Sequence, residues 1–298
     1  MTAPLSRPLA VLAALTSIVI WAVNYPAMKV AFREISPLAF TGWRFLLATT
    51  FLFAEAFVRR EPLVPPPGAR GPALLLALSG VGIYQWLYAL GLASTSGFSA
   101  ALLNSVSPLI AMLLVVLLGW EHMSRLAGAG SILAWSGVAL FVTSARGVDF
   151  GNTAGNLMCL GAATSWAVYN VASVRAGRLL SPRGAQLATF GGGTILILAY
   201  ALPDMLRQDY ARVSPFTWAI VVFSAILPLA VAFRLWLEAV RSLGVAQATS
   251  FGFLVPVLAG IASAIFTGER FDARKVLSAA VVLCGLALIR IARTKATT

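Results

Sequence analysis

The chain has 298 residues, of which 59% are hydrophobic and only 11% are Asp, Glu, Lys or Arg. Soluble domains are about one quarter charged, and the mean hydropathy here is +0.88, so the composition excludes an ordinary soluble protein and indicates an integral membrane protein. The net charge of +12 is scattered through short loops. This distribution argues against nucleic acid as a partner and favours basic residues that orient the chain in a lipid bilayer.

Apolar segments bounded by charge, proline or glycine predict membrane-spanning helices, because each is close to the roughly 20 residues that cross a bilayer. Residues 71–120, for example, contain no Asp, Glu, Lys or Arg and are long enough for two spans. The predicted fold is an all-α integral membrane bundle of ten transmembrane helices. The predicted spans are residues 8–31, 37–57, 71–93, 97–118, 126–145, 153–174, 184–203, 214–239, 245–267 and 274–292.

The second half of the chain repeats the first. At an offset of 148 residues, Pro108 aligns with Pro256, and residues 137–140 (GVAL) align with 285–288 (GLAL). A nearby offset of 145 aligns residues 21–25 (WAVNY) with 166–170 (WAVYN). Five spans per half is an odd number, so the second half should enter the membrane upside down. We therefore expect two five-helix inverted repeats, residues 1–147 and 148–298, around a central cavity.

The loops carry an orientation signal. If the N-terminus is cytoplasmic, twelve Lys and Arg residues lie on the cytoplasmic side and seven lie outside. This bias places both termini in the cytoplasm. A ten-span bundle can enclose a cavity alone, so a monomer is expected.

Aromatic and amide side chains inside the predicted spans are candidate substrate contacts. They recur on single helical faces in the first, third, fourth and sixth spans, and a buried amide in lipid is costly unless it is paired. These faces should therefore point to the bundle interior or to a cavity, although helix–helix hydrogen bonds and anchoring at the membrane surface are alternatives. The candidates are Trp21, Asn24, Tyr25, Tyr84, Tyr88, Asn104, Trp166, Tyr169 and Asn170.

Two prolines and three cations complete the candidate set. Pro108 and Pro256 occupy matching positions in the two halves and predict helix kinks near the transport pathway. Lys29, Arg44 and Arg234 lie within apolar segments, where a cation is costly unless it faces protein or water. Each could hold a substrate carboxylate. Alternatively, Lys29 could extend to the membrane surface, and the arginines could pair with backbone carbonyls and with Glu55 or Glu238.

Several kinds of chemistry are missing. No Asp or Glu occupies the middle of a span and the only histidine, His122, is in a loop, so tight proton coupling has no obvious carrier. Cys159 and Cys284 have no partner at metal-ligand spacing and are expected to be apolar filler. No catalytic constellation is present. We expect neither enzyme activity nor a cofactor or metal.

The motifs resemble the EamA family of the drug/metabolite transporter superfamily over essentially the whole chain. The resemblance is carried by residues 21–25 (WAVNY), 44–48 (RFLLA), Pro108, 119–121 (GWE) and 137–140 (GVAL). Within the family, the sequence most resembles a bacterial YddG-type exporter of aromatic and other amino acids. The resemblance implies an inner-membrane exporter with a central cavity formed largely by helices one, three, four, six, eight and nine.

The expected function is export of amino acids, preferentially aromatic or large apolar ones. A zwitterionic substrate could place its carboxylate on a cation, an amide or a helix N-terminus, and its apolar side chain on the aromatic residues. Efflux of lipophilic drugs or other small metabolites is the alternative. A passive pore is a further alternative, because polar residues can line the cavity of a carrier or the channel of a pore.

Overall fold

The computed structural model describes residues 5–119, 124–143, 150–243, 251–252, 254–270 and 273–296. In these residues the regular secondary structure is helical throughout. Two π-helical turns, Leu78–Gly82 and Ala225–Ala232, each lie between two consecutive α-helices. The helices are α1 (Arg7–Ala31), α2 (Pro37–Val58), α3 (Arg70–Ala77), α4 (Ile83–Ser94), α5 (Gly97–Asn104), α6 (Ser107–Leu117), α7 (Arg125–Thr143), α8 (Phe150–Ala176), α9 (Pro182–Arg207), α10 (Pro215–Ser224), α11 (Phe233–Leu243), α12 (Leu254–Thr267) and α13 (Ala273–Ala296).

Many of these helices are apolar and long, which confirms the all-helical membrane fold. Two further apolar helices are shorter, Leu254–Thr267 and Val276–Ile289. Parts of the predicted spans 126–145 and 245–267 lie outside the described residues, and the ten-span map stays a prediction. The segments of the described chain that are long and apolar enough to cross a bilayer are Arg7–Ala31, Pro37–Val58, Pro67–Ser94, Gly97–Leu117, Arg183–Arg207 and Pro215–Trp236.

Ser-Pro pairs start three of the long helices. In each, the serine hydroxyl accepts a hydrogen bond from the backbone N–H three residues later, as at Ser36 with Ala39 and at Ser181 with Gly184. The ring of the proline that follows fixes φ at a helical value. Its missing N–H costs nothing, because the first N–H groups of a helix have no partner within the helix. Ser36 and Ser181 are also 145 residues apart, the offset at which the first and sixth predicted spans align.

The predicted fourth span is not one continuous helix. It is divided into two helices: α5 ends at Asn104, and α6 begins at Ser107. Pro108 explains the division, because it has no N–H to donate to the Asn104 carbonyl and its ring disfavours helical geometry before it. Pro256 is likewise close to a helix start, as the third residue of α12.

Helices α7 and α13 cross at very close range through glycines. A Cβ atom on Gly130 would lie 2.8 Å from the Gly285 carbonyl oxygen, and one on Gly137 would lie 2.7 Å from the Val282 nitrogen. A Cβ atom on Gly285 would collide with the backbone of Ala134. Small residues at a crossing let two helix backbones approach closely, which is a main source of helix association in membranes.

The connections between helices collect at two ends of the bundle. At one end, Gln208 Oε1 accepts from Ser36 N at 2.8 Å, and a Glu34 carboxylate oxygen accepts from Ser214 N at 2.8 Å. The hydrogen bonds from Ser214 lower the pKa of Glu34. At the other end, Arg183 pairs with Glu55, which joins the start of α9 to the end of α2. Helices α2 and α9 therefore run antiparallel between the two ends.

The first prediction concerns topology. Reporter fusions after Arg70 and after Ser96 are expected to label opposite sides of the membrane, because α3, the π turn and α4 form one span between them. The fusion at Ser96 should report the outside and the fusion at Arg70 the cytoplasm, from the Lys and Arg bias. The same side for both would overturn the ten-span map.

The second prediction tests the glycine crossing. Gly285→Ala forces a methyl group into the backbone of α7 and is expected to lower stability by about 1–3 kcal/mol, as overpacking does. Gly71→Ala is the matched control, because a Cβ atom there meets nothing within 4 Å. Thermal unfolding in detergent measures both. Equal midpoints for Gly285→Ala and Gly71→Ala would show that the crossing tolerates a larger separation.

Candidate functional site

Three tyrosines and one asparagine meet where α1, α4 and α5 come together. The Tyr84 and Tyr88 rings stack with centroids 5.6 Å apart, and Tyr25 packs edge-on against Tyr88 at 5.6 Å. The Asn104 amide donates to the hydroxyls of Tyr25 and Tyr84 at 3.3 and 3.4 Å. The i, i+4 spacing of Tyr84 and Tyr88 places both rings on one face of α4. Asn104 is the last residue of α5, next to the helix break.

Trp166 and Tyr169 of α8 extend this group. The Trp166 ring lies 5.2 Å from Tyr84 and stacks on Tyr169 at 4.7 Å. Gly80, in the π turn before α4, leaves room for Tyr169, because a Cβ atom on Gly80 would collide with the Tyr169 ring. We call Tyr25, Tyr84, Tyr88, Trp166 and Tyr169 the aromatic cluster. It contains side chains from both halves of the chain.

Arg44 of α2 is buried beside this cluster, with 3% of its surface exposed. Its Nε donates to the Ser224 carbonyl at 3.1 Å, and Nη1 contacts Met28 Sδ at 3.5 Å. Tyr25, Tyr84 and Tyr88 lie within electrostatic range of its guanidinium. Within the described residues, Arg44 forms no ion pair with an Asp or Glu. A cation is therefore held at the centre of the bundle by neutral groups.

Pro228 explains why the Ser224 carbonyl can receive Arg44. In an α-helix that carbonyl would accept from residue 228, and proline has no N–H to give. The chain instead forms the π turn Ala225–Ala232, a local widening that disturbs the regular pairing of carbonyls. Two more carbonyls of this segment accept from side chains of α1: Pro228 from Trp21 Nε1 at 3.1 Å, and Ala232 from Ser17 Oγ at 2.9 Å.

Asn24 takes part in a helix–helix contact beside Arg44. Its amide nitrogen donates to Met28 Sδ at 3.2 Å, and its Oδ1 accepts from Ser224 Oγ. Both partners are also partners of Arg44. Asn24 therefore helps to hold α1 against α10 at the level of the buried cation.

Trp21 lies apart from the aromatic cluster, although the sequence pairs it with Trp166. Besides its hydrogen bond to the Pro228 carbonyl, its ring packs on Trp236 of α11 at 5.4 Å. These contacts join α1 to the π turn and α11. The two tryptophans thus have different neighbours on the two sides of the bundle.

Two of the predicted cations bind protein groups away from the cluster. Lys29 Nζ donates to the carbonyls of Leu92 and Ala93 at 2.9 and 2.6 Å. These are among the last carbonyls of α4, where a cation satisfies unpaired acceptors and the negative end of the helix dipole. Arg234 forms an ion pair with Glu55, at the end of the bundle where Arg183 also lies.

The remaining candidates are Pro108, Pro256 and Asn170. Pro108 follows the break after Asn104, and Pro256 is buried near the start of α12. The backbone carbonyl of Asn170 accepts from Ser173 Oγ. No group of three or more His, Cys, Asp or Glu residues that could hold a metal ion occurs in the described parts of the chain.

Sequence reasoning did not single out Ser224, although it contacts both Arg44 and Asn24. The sequence contained one indication of its role. Ser224 lies four residues before Pro228, so its backbone carbonyl lacks the N–H donor that it would have in an α-helix. The i, i+4 relation of Asn24 and Met28 was visible as well. What the sequence did not show was that a thioether would accept hydrogen bonds from both an amide and an arginine.

Comparison with known proteins identifies relatives along the whole chain. An uncharacterized transporter of Archaeoglobus fulgidus is 26% identical, covering 91% of this chain and 94% of its own. A probable terminal-alkyne amino-acid exporter of Streptantibioticus cattleyicolor is 28% identical, covering 94% and 93%. A probable amino-acid metabolite efflux pump of Salmonella typhimurium is 24% identical, covering 92% of each.

A solved crystal structure has the same fold, with a TM-score of 0.65 over 98% of this chain and 100% of the other, at 21% identity. The EamA-like transporter family matches this chain twice, over residues 8–143 and again over 153–291. The two matches together cover most of the sequence. The chain therefore belongs to the EamA-like transporter family and is a multi-pass membrane transporter, not an enzyme.

Proposed function

We propose that this transporter exports amino acids, preferentially aromatic or large apolar ones, across a bacterial inner membrane in which both termini are cytoplasmic. The observation that carries the proposal is the position of Arg44 beside the aromatic cluster: it is a buried cation, and the part of the chain that the structure describes gives it no acidic partner. An amino acid with an apolar side chain has complementary groups for both.

Arg44 would bind the carboxylate of the substrate. A cation at the centre of a membrane helix costs roughly 2.5–3.5 kcal/mol on insertion scales, unless protein or water compensates it. Its partners, a carbonyl and a thioether, are neutral. A substrate carboxylate would add the missing opposite charge in a charge-assisted hydrogen bond. The guanidinium also has N–H groups beyond the two that make these contacts.

The aromatic cluster would contact the apolar side chain of the substrate. Its rings come from α1, α4 and α8, and offset or edge-on contacts with another ring are worth about 0.5–1.5 kcal/mol beyond the burial of apolar area. The names of two relatives also mention amino acids or their metabolites. These names support the substrate class and do not distinguish among amino acids.

Contacts between counterpart helices support an inverted repeat and alternating access. Gly285 contacts Ala134, and Gly137 contacts Val282. Gly285 is the counterpart of Gly137 at the offset of 148 residues, and Val282 is the counterpart of Ala134. The two contacts are therefore the same contact with the two halves exchanged. Reciprocal contacts of this kind are expected where a two-fold axis passes between two elements. Thr49 and Thr194, 145 residues apart, also hydrogen-bond directly at 2.7 Å. We propose that the halves exchange conformations about this axis.

Lipophilic drugs are the second candidate substrate class. The aromatic cluster would accept them as readily as an amino acid side chain. Arg44 disfavours the many drugs that are cationic, because like charges at close range repel in a medium of low polarity. This distinction places amino acids ahead of cationic drugs.

Uptake into proteoliposomes tests the proposed function directly. Vesicles loaded with unlabelled L-phenylalanine should accumulate external radiolabelled L-phenylalanine by saturable counterflow, with or without a pH gradient. Radiolabelled alanine should exchange more weakly. Non-saturable flux without counterflow would identify a pore, and no flux of any amino acid would exclude amino acid export.

The third prediction concerns the role of Arg44. Arg44→Met is expected to weaken binding of L-phenylalanine and 3-phenylpropionate by about 10- to 150-fold, the value of a hydrogen bond to a charged group. Phenethylamine, which has no carboxylate, should not bind more weakly. Arg44→Lys should recover part of the loss because it keeps the charge. Equal losses for all three ligands would assign Arg44 to packing alone.

The fourth prediction separates the two tryptophans. Trp166→Ala removes a ring that contacts Tyr84 and Tyr169, and should weaken L-phenylalanine binding by about 5- to 150-fold, equivalent to about 1–3 kcal/mol. Alanine binding should change much less. Trp21→Ala should have the smaller selective effect, since its ring contacts Trp236 instead.

Trp135 provides the control for these substitutions, because it is exposed on α7. Trp135→Ala should leave the affinity for both amino acids unchanged. Binding to purified protein and thermal stability are measured for each variant. A larger selective loss for Trp21→Ala than for Trp166→Ala would move the binding site to the α1–α11 contact.

A further inference from the structure

A separate cavity of about 380 Å³ opens near the end of α1, and its lining includes no member of the aromatic cluster. It lies between the ends of α1, α4 and α12 and the start of α5. Its lining carries charges of both signs, and we call it the Glu269 cavity. The lining residues used below are Lys29, Arg33, Ser96, Thr267 and Glu269.

Glu269 provides an acceptor that the described residues leave unused. Its Oε2 accepts from the backbone N–H of Phe98 in the first turn of α5, at 3.4 Å. Its Oε1 is buried and has no hydrogen-bond partner in the described residues. A buried carboxylate oxygen without a donor is costly, since it has lost water and gained nothing in return. A donor supplied by a ligand would remove that cost.

Positive charge lies in the same cavity. Lys29 Nζ uses two of its three N–H groups on the carbonyls of Leu92 and Ala93, which fixes the ammonium at the cavity wall. Lys29 and Glu269 interact electrostatically. Arg33, one turn beyond Lys29 on the α1 side, is exposed and adds a second cation. The cavity therefore presents a fixed carboxylate and two cations.

We propose that the Glu269 cavity is a second binding site for zwitterionic amino acids, distinct from the aromatic cluster. The ligand ammonium binds the Glu269 carboxylate, and the ligand carboxylate binds Lys29 and Arg33. The volume lies at the lower end of the roughly 300–1,000 Å³ typical of small-molecule sites, which suits a single amino acid.

The placement of the cavity gives the site its role. Lys29 is four residues after Tyr25 on α1, so the cavity is one helical turn from the aromatic cluster. Gly97 of α5, in its lining, packs directly on Ser263 of α12. Under the proposed amino acid export, which this inference assumes, a substrate leaving the cluster toward this end would bind here next.

Protection of an engineered cysteine tests the site without requiring transport. In a Cys284→Ser background, which removes an exposed thiol, Thr267→Cys places a reactive thiol in the cavity lining. L-Phenylalanine should slow its labelling by a hydrophilic maleimide in purified protein. Phenethylamine and 3-phenylpropionate, which each carry one charge, should need about tenfold higher concentrations, because each lacks one charged contact.

Charge-removing variants identify the binding groups. Glu269→Gln should raise the half-protecting concentration of L-phenylalanine about tenfold and leave that of 3-phenylpropionate unchanged. Arg33→Gln, at an exposed position, should affect L-phenylalanine and 3-phenylpropionate but not phenethylamine. Glu34→Gln is the control, because Glu34 lies at the same end of the bundle and outside the cavity lining.

Trp166→Ala separates this proposal from the proposed function. It should weaken binding at the aromatic cluster and leave the protection of Thr267→Cys unchanged. Protection that disappears in Trp166→Ala but survives Glu269→Gln and Arg33→Gln would overturn the second site, since it would report a conformational effect of the cluster. Absent protection, or equal protection by all three ligands, would overturn it as well. A failure of transport with charge-selective protection intact would reject only the exporter function.

Discussion

The centre of the bundle depends on the hydrogen bond from Arg44 to the Ser224 carbonyl. Pro228 withholds the α-helical donor from that carbonyl, and the resulting π turn presents a row of carbonyls to α1 and α2. Arg44, Trp21 and Ser17 donate to positions 224, 228 and 232 of this row. One proline thus determines where a charged residue from another helix can be buried, and the same contacts hold α1 and α2 to the second half of the chain.

The groups that contact Arg44 at the centre of the bundle are neutral, so the guanidinium keeps its positive charge there. A carbonyl and a thioether solvate a guanidinium through their dipoles, and neither neutralises it. In surroundings of low polarity, an unneutralised cation attracts an anion strongly. The aromatic rings restrict which anions fit, so the charge and the rings together favour carboxylates with apolar side chains.

The parts of this structure that the sequence predicted are those set by local pattern. Apolar length defines the helices, and i, i+4 spacing defines the stacked Tyr84 and Tyr88. The sequence could not separate Trp21 from Trp166, because their own segments are nearly the same and only the facing helices differ. Lys29 and Arg234 illustrate the same limit. The apolar context showed that each needed a partner, and for Arg234 it offered Glu55 among several alternatives. The fold selects among them: Lys29 binds the carbonyls at the end of α4, and Arg234 pairs with Glu55.

The two ends of the bundle are closed by different chemistry, and this difference matters for an inverted repeat. Exchanging the conformations of two equal halves would leave the energy unchanged, so neither direction of opening would be favoured. Here the Glu55 carboxylate pairs with Arg59, Arg183 and Arg234 at one end. At the other end, the described contacts between helices are hydrogen bonds, such as those of Gln208 with Ser36 and of the Glu34 carboxylate with the Ser214 N–H. Salt screens ion pairs near the surface more than it screens such hydrogen bonds. On the proposed mechanism, ionic strength therefore shifts the balance between the two openings, and the side chains supply a directional bias that the backbone symmetry lacks.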